Sequence, residues 1–408
     1  MKLHDETLKY LKKVPIYDLG YLYNSDSVNE VKKYIRSYEI TRDLQVISVN
    51  EGTILPHKDG VHPFGVGGVL DKNHVYISES GITDLEFGET KFGGSYEFDE
   101  SACPYIDETV LYMGYFYPHW GHFIVDFCTR LWYWQYEKRY RIVFMGNGFI
   151  QGNIGKPYLD FLQLYGITKD QLIDIRKPTR FKEIIIPEAS LKRNQFFSSE
   201  YKKMLNEVYY GIDKRELDSA EKIYIRRDRF IKKHGWYRER GEAIIAKTFE
   251  KNGFKVISPE ELSVEQKIFY MRNCKVLAGV NGSSWMNAAF CEDGVERIYI
   301  KKCFIMDPDN PIIDDLTNAG KVTYIDSYFL PFKRYSPPFP DGPHLLGYSK
   351  ELLRFCHDRQ FVIEPQYKYR FDMIIDYVWF LTAELRRGIH LILYPITRRI
   401  RKMLRCYK

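Results

Sequence analysis

The sequence predicts an α/β protein with two Rossmann-like domains that face a cleft. Strand-like and helix-like segments alternate over most of the 408 residues, and a chain of this length normally builds more than one core. With 45% hydrophobic and 28% charged residues, the composition is that of a folded protein and excludes a disordered chain. We therefore expect parallel sheets with crossover helices.

The order of the elements predicts where the domains begin and end. In the first half, strands are predicted at 44–49, 74–78, 109–113, 141–145 and 183–186, with helices at 119–137, 158–165 and 198–210. In the second half, strands are predicted at 222–226, 254–257, 275–280 and 297–300, with helices at 241–252, 263–273 and 283–291. Five prolines in 331–343 then interrupt regular structure. The expected division is an N-terminal α/β domain (1–195), a connector (196–220), a Rossmann-like domain (221–335) and a C-terminal helical region (336–408).

Cysteine usage and the absence of targeting signals predict the compartment. The seven cysteines are scattered and form no C-x-x-C pair, which favours a reducing environment over a disulfide framework or a zinc site. Charges occupy the place where a signal peptide would be apolar, and no run of about 18 apolar residues indicates a membrane span. We expect a cytoplasmic protein.

The end of the chain is basic and amphipathic. Eight Lys or Arg and no acidic residue lie between Arg386 and Lys408, although the whole chain has a net charge of only +6. Apolar residues recur from Phe371 onward, a pattern typical of helices that lie on anionic membranes. Packing on the protein body is the alternative for the first part, to about Leu385. No other part of the chain offers a basic face, so nucleic acid is not an expected partner.

A glycine turn follows the predicted strand 275–280. Gly282 and Ser283 open the next helix, where unpaired backbone N–H groups and the helix dipole suit a phosphate. Asn281 and Asn287 flank this turn and are predicted to contact the same ligand, although such residues also serve as local helix caps. We interpret the turn as the diphosphate end of a nucleotide-sugar site.

Arginines end an earlier strand of the same half. Arg226 and Arg227 lie at the carboxyl end of strand 222–226, where open sheets bind ligands. Because arginine binds diphosphates through paired hydrogen bonds, one of these two and Arg240 are predicted to hold the donor. Glu242, two residues after Arg240, is a further candidate for donor binding.

His122, Asp126 and Arg130 recur at intervals of four within the helix predicted over 119–137, so they share nearly one face. A carboxylate and an imidazole in a cleft could deprotonate a sugar hydroxyl, with Asp126 orienting His122 or acting as the base itself. A structural ion network that ties the helix to the sheet explains the same spacing equally well.

Asp307 and Asp309 form the D-x-D pattern that many sugar transferases use for a divalent metal. The intervening Pro308 favours a surface turn, and the sequence shows no further oxygen ligands converging on it. No metal site is predicted.

Taken together, these motifs resemble glycosyltransferase family 61, including its bacterial capsular-polysaccharide branch. The residues that carry the resemblance are His122, Asp126, Arg130, Arg226, Arg227, Arg240, Gly241, Glu242 and the turn Gly279 to Phe290. The resemblance covers about 105–300 and implies an inverting transferase of the GT-B type that uses a nucleotide sugar, here expected to be UDP-linked. Arg130 is expected to support the site. No metal is required, because positive groups would stabilise the departing diphosphate.

This chain departs from the family pattern at two positions. Asn281 stands where the family commonly has a histidine, and Gly241 precedes Glu242 where an Asn-Glu pair is common.

The expected function is that of a cytoplasmic glycosyltransferase at the inner face of the plasma membrane. It would transfer sugar to a glycan or lipid-linked glycan acceptor in the synthesis of a capsule or related surface polysaccharide. A non-catalytic glycan- or nucleotide-binding scaffold in a polysaccharide assembly is the main alternative. A dehydrogenase is disfavoured because the glycine turn lacks the G-x-G-x-x-G pattern with a ribose-binding acid after it.

Overall fold

A computed structural model describes residues 15–84, 89–146, 154–227, 239–329 and 342–406; the side chains of 84, 89, 391–392 and 394–406 are excluded. The chain is a mixed α/β protein, as predicted. Most of the proline-rich stretch lies outside the described residues.

The observed strands include one at or beside every predicted position, together with further strands that were not predicted. They are β1 Ile16–Tyr21, β2 Glu39–Ile40, β3 Val46–Asn50, β4 Thr53–Lys58, β5 Val66–Leu70, β6 Tyr76–Ile77, β7 Ile82–Asp84, β8 Glu89–Phe92, β9 Tyr105–Phe116, β10 Arg141–Gly146, β11 Leu172–Asp174, β12 Thr179–Pro187, β13 Leu191–Lys192, β14 Phe196–Ser198, β15 Lys222–Ile225, β16 Glu239–Arg240, β17 Lys255–Ile257, β18 Val276–Val280, β19 Glu296–Lys301, β20 Lys321–Asp326 and β21 His344–Leu345.

Helices follow the predicted order as well. The α-helices are α1 Ser25–Lys32, α2 Trp120–His122, α3 Lys156–Leu164, α4 Ser199–Tyr210, α5 Glu242–Lys251, α6 Val264–Asn273, α7 Asp309–Leu316, α8 Lys350–Asp358 and α9 Arg370–Cys406. Phe123–Phe127 is a π-helical turn, and Cys128–Gln135 and Ser283–Phe290 are 3₁₀ helices. Shorter 3₁₀ turns occur at Ser78–Ser80, Glu100–Ala102, Lys169–Gln171, Pro259–Glu261 and Gln366–Tyr369.

The second half of the chain builds a parallel six-stranded sheet, in the order β1-β20-β19-β18-β15-β17. Strand β18 is a continuous apolar run, V-L-A-G-V, which is typical of strands buried on both faces. Strand β1 belongs to this sheet, although its sequence position lies in the range predicted for the N-terminal domain. The carboxyl ends of β15, β17 and β18 form one edge, which is where parallel sheets bind ligands.

The first half builds an eight-stranded sheet that is only partly parallel. Strands β11, β10, β9 and β12 are parallel, as the alternation of strands and helices predicts. Strands β3 and β4 pair with β12 in the antiparallel sense, and β5 and β6 extend that side. Short connections explain the antiparallel pairs β4–β5 and β5–β6, but β3 and β4 pair with a strand far along the chain. Sequence alternation alone did not reveal this side of the sheet.

Helices from both halves pack between the two sheets, and their buried side chains belong to one continuous core. Phe161 of α3 and Phe290 of the 3₁₀ helix Ser283–Phe290 meet there with ring centroids 6.1 Å apart. Each fully buried aromatic side chain of this kind contributes roughly 1.5–3 kcal/mol. The core therefore fixes the end of Ser283–Phe290 against the first half of the chain.

Helix α9 packs on the protein body along one face only. Phe380 is buried, and the ring of Tyr377 contacts Phe329 at a centroid distance of 5.5 Å. On the other face Phe371 is 75% exposed and Leu385 is 66% exposed. Of the helices within the described residues, none combines the length and apolarity that a bilayer crossing requires.

Candidate functional site

The segment predicted as one helix over 119–137 is three kinds of helix in succession. Helix α2 is followed by the π-helical turn Phe123–Phe127 and then by the 3₁₀ helix Cys128–Gln135. His122 Nδ1 lies 2.6 Å from the Asp126 carboxylate, so the predicted imidazole–carboxylate pair forms. π-Helical turns of this kind are frequent at functional sites.

Arg130 does not join that pair. Its side chain is buried, and it donates from Nε to the carbonyl of Pro187 at 3.1 Å and from Nη2 to the carbonyl of Glu79 at 2.7 Å. Within the described part of the chain, no hydrogen bond or ion pair joins Arg130 to Asp126. Arg130 therefore ties the helical segment to the first sheet, in agreement with the structural interpretation of this residue.

The Asp126 carboxylate is buried and held ionised by its neighbours. Burial alone would raise its pKa, but the hydrogen bond to His122 and the charge of Arg193 outweigh burial and lower the pKa. Arg193, which the sequence analysis missed, binds Asp309 through Nε and Nη2 at 2.8 and 2.7 Å. The positive charge beside Asp126 is thus supplied by a residue whose own partner comes from the second half of the chain.

The Asp307-Pro308-Asp309 segment is not the predicted surface turn. Both carboxylates are buried, and Asp309 forms the ion pair with Arg193. Burial, followed by the charge of Asp309, raises the pKa of Asp307 to about 6. Among the described residues, no group of three or more His, Cys, Asp or Glu side chains is arranged to hold a metal ion.

A cavity of about 590 Å³ lies where the first half meets the carboxyl edge of the six-stranded sheet. The residues that line it come from both halves: Pro118, His119, Trp120, Pro157 and Tyr158 from the first, and Arg226, Arg227, Pro259, Glu260, Leu262, Lys267, Ser283, Ser284 and Asn287 from the second. Four of the predicted donor-site residues, Arg226, Arg227, Ser283 and Asn287, are therefore brought to one cavity.

Direct contacts join the two motif segments at this cavity. Trp120 Nε1 donates to Asn287 Oδ1 at 2.8 Å. A Cβ added at Gly121 would lie only 3.2 Å from the Cβ of Ser283, so α2 passes close to the glycine turn. Helix α2 and the glycine turn before Ser283 thus lie side by side at the cavity.

The segment that contains these contacts is similar in sequence to a known protein family. Residues 120–298 match the family model of glycosyltransferase 61. The resemblance inferred from the motifs is confirmed, and the family implies glycosyltransferase activity. Comparison with curated proteins finds no match.

Within the glycosyltransferase 61 segment, His119 rather than His122 lines the cavity. The two rings are 5.2 Å apart between centroids, and among the described residues His119 Nδ1 is buried without a hydrogen-bond partner. Burial, followed by the electrostatic effects of His122 and Arg227, lowers the pKa of His119 to about 4. His119 is therefore neutral at pH 7 and able to accept a proton.

Arg227 is held by carboxylates of the same glycosyltransferase 61 segment. Its Nε and Nη2 each donate to Glu239 at 3.3 Å, and its backbone N–H donates to Glu242 at 2.8 Å. Glu239 also pairs with the buried Lys302. Although burial raises the pKa of Glu239, the charges of Arg227 and Lys302 lower it to about 2. Glu242, predicted to bind the donor, does not line the cavity and accepts this hydrogen bond from the main chain of Arg227.

Arg240 and Asn281 do not line the cavity. Arg240 Nη1 donates to Asp376 of helix α9 at 3.0 Å, and its guanidinium lies 4.8 Å from the ring centroid of Trp379. Asn281 is buried, and its backbone N–H pairs with the carbonyl of Ile300. Gly282 lies beneath the guanidinium of Arg227 rather than on the cavity wall.

A larger cavity, of about 820 Å³, lies between helix α9 and the strand ends near Leu345. Its walls are mostly aromatic and aliphatic, and none of the histidine, arginine or serine residues of the predicted site line it. We therefore take the smaller cavity, with its convergent basic and polar groups, as the candidate active site of the glycosyltransferase 61 segment.

Proposed function

We propose that the protein transfers a sugar from a nucleotide-sugar donor to a glycan acceptor, with the reaction in the 590 Å³ cavity. The observation that carries the proposal is that His119, Arg226, Arg227, Ser283 and Asn287 line this one cavity, although they come from distant parts of the chain. Glycosyltransferase activity is what the family implies. The nucleotide sugar, expected to be UDP-linked, is the substrate that these groups fit best.

The diphosphate would lie between Arg226 and the start of the helix Ser283–Phe290. Ser283, which lines the cavity, opens that helix, and the first backbone N–H groups of a helix have no acceptor inside it. Asn287 Nδ2 donates to the Ser284 carbonyl at 2.8 Å, and this local hydrogen bond stabilises the start of the helix. Positive groups at this position would stabilise the departing diphosphate, and we propose no metal ion for the step.

We assign removal of the acceptor proton to the helical segment that carries His119, His122 and Asp126. As the acceptor hydroxyl oxygen forms a bond to the anomeric carbon, the bond from that carbon to the diphosphate oxygen breaks, and the nucleoside diphosphate leaves with the electron pair. The hydroxyl proton passes to a base, for which Asp126 and His122 remain the predicted candidates. Attack on the face opposite the leaving group inverts the anomeric centre.

His119 lines the cavity, whereas the His122–Asp126 pair does not, and Asp126 lines a separate, smaller pocket together with Arg193. A neutral imidazole at the cavity wall supports a role for His119 between the acceptor and that pair. The negative charge of a bound diphosphate would raise the pKa of His119 from its low value toward neutrality, where a general base is most effective.

The location at a membrane is also a proposal. Helix α9 has an exposed apolar face that includes Phe371 and Leu385, and its sequence adds eight basic residues after position 385. These features support binding to the anionic cytoplasmic face of the plasma membrane, at roughly 1 kcal/mol per basic residue near the surface. There the enzyme would extend a capsular or related surface glycan, with the two sheets as the two domains of a GT-B enzyme. Deletion of 386–408 should release the protein from anionic liposomes, and continued flotation would contradict this assignment.

Release of a nucleoside diphosphate from a panel of nucleotide sugars tests the proposed activity. The purified protein should release the nucleotide from at least one donor in the presence of a glycan acceptor, and Arg226→Ala should slow that release. Tight nucleotide-sugar binding with no release from any donor and acceptor would favour the non-catalytic scaffold instead.

A further inference from the structure

We propose that Lys267 binds an anionic oxygen of the ligand in the 590 Å³ cavity; this inference rests on the proposed function. Of the arginines expected to do so, Arg227 and Arg240 are each paired with a carboxylate of the protein, Glu239 and Asp376 respectively. Lys267 lines the cavity and has no such partner among the described residues. Within the part of the chain that the structure describes, Lys267 is therefore a cation of this cavity whose charge no carboxylate pairs with, and a ligand can take that place.

Lys267 lies on helix α6, and only 8% of its surface is exposed. Its ammonium group lies 4.1 Å from the centroid of the Trp120 ring, which also lines the cavity. The indole accepts a cation but leaves it without a hydrogen-bond acceptor. Burying a charge without a partner is costly, so an anion that entered this cavity would recover part of that cost.

Three elements that surround Lys267 carry charged residues. Glu260 precedes α6, Asp160 lies on α3, and Arg226 directly follows strand β15. Burial lowers the pKa of Lys267 to about 8, although the charges of Glu260 and Asp160 raise it. The ammonium form is thus present at pH 7 but is readily lost in mildly alkaline solution.

Two parts of a nucleotide sugar supply an anionic oxygen. One is the diphosphate, which would then bridge Lys267 and Ser283, since both line the same cavity. The other is a carboxylate on the transferred sugar, as in a nucleotide-linked uronic acid. The shared chemistry is an oxyanion at a lysine, and the experiment below separates the two sources.

Calorimetric titration of the full chain with UDP, GDP and UDP-glucuronate tests the assignment. Lys267→Met, which keeps the length of the side chain, should weaken binding by about 10- to 100-fold, the usual effect of losing a hydrogen bond to a charged group. Loss of affinity for all ligands that bind the wild type identifies a phosphate, and loss for UDP-glucuronate alone identifies a sugar carboxylate. Lys267→Arg should retain most of the affinity.

Lys275→Met is the matched control, because Lys275 is exposed and already paired with Glu221. It should leave every affinity unchanged. Between pH 7 and pH 9 the wild type should lose affinity progressively above pH 8, by up to tenfold per pH unit, whereas Lys267→Met should not. Without ligand, Lys267→Met should unfold at the same temperature as the wild type or higher, since it removes an unpaired buried charge.

Equal affinity of Lys267→Met and the wild type for every ligand overturns the assignment. If the wild type still releases nucleotide from a donor in that case, the proposed function survives. A wild type that binds none of the three ligands overturns both.

Discussion

Gly282 lies directly against the guanidinium of Arg227, and a single methyl group there tests the geometry of the site. Its backbone is extended, with φ 161° and ψ −180°, so alanine introduces no backbone strain. An added Cβ would nevertheless overlap Nη1 and Cζ of Arg227. Because the flexible arginine side chain is the part that yields, we predict that Gly282→Ala displaces Arg227 from its present position.

The energetic consequence follows from what Arg227 would leave behind. It would lose two hydrogen bonds to Glu239, each 3.3 Å long, while Glu239 would keep its ion pair with Lys302. A hydrogen bond to a charged group contributes about 1.5–3 kcal/mol, and these two are long. We expect Gly282→Ala to lower the free energy of unfolding by about 2 kcal/mol and to weaken binding of UDP.

A double-mutant cycle measured by urea denaturation checks this reasoning. In an Arg227→Ala background the added methyl group has nothing to displace, so Gly282→Ala should then cost less than about 0.5 kcal/mol. Gly347→Ala is the control, because an added Cβ there has no neighbour within 4 Å. An equal cost of Gly282→Ala with and without Arg227 would refute the steric explanation.

Three further predictions concern the groups around the cavity. His119→Gln and Asp126→Asn should each lower turnover of the donor by about 10²-fold or more while leaving the circular dichroism spectrum unchanged; full turnover in either variant removes that residue from the proton path. Arg193→Met should destabilise the fold by about 3–5 kcal/mol, because it leaves Asp309 buried and unpaired, and Asp309→Asn in the same chain should restore part of the loss in urea denaturation. The pKa of Asp307 is raised from an ordinary value of 3.8 to about 6 in the folded state, so its contribution to stability is fully present below pH 3.8 and is lost as pH rises through 6. Asp307→Asn should therefore gain about 1.4 kcal/mol relative to the wild type between pH 5 and pH 7.5, and parallel stability curves would contradict this.

The sequence predicted contacts that depend on local geometry. His122 and Asp126 pair because residues separated by four positions in a helical segment lie on the same face. The π-helical turn between them does not prevent this contact. The strand ends that present Arg226 and Ser283 were predictable because parallel strands finish at a common edge.

Contacts between segments distant in the chain were not predictable in the same way. Arg240 is paired with Asp376 of helix α9, and no local pattern indicates that a helix near the end of the chain reaches it. Lys267 resembled an ordinary surface lysine on an amphipathic helix, since the residue that covers it, Trp120, comes from the other half of the protein. His119 was overlooked because His122 matched the spacing that we sought.

The placement of strand β1 has a consequence for how the protein is made. Residues 16–21 leave the ribosome early, but their partner β20, at 321–326, emerges only after most of the chain has been translated. Until then the nascent polypeptide holds a strand with no sheet to join, and unpaired strand edges invite aggregation. A fragment that begins at 221 would lack β1. The edge of β20 that pairs with β1 in the full chain would then be unpaired.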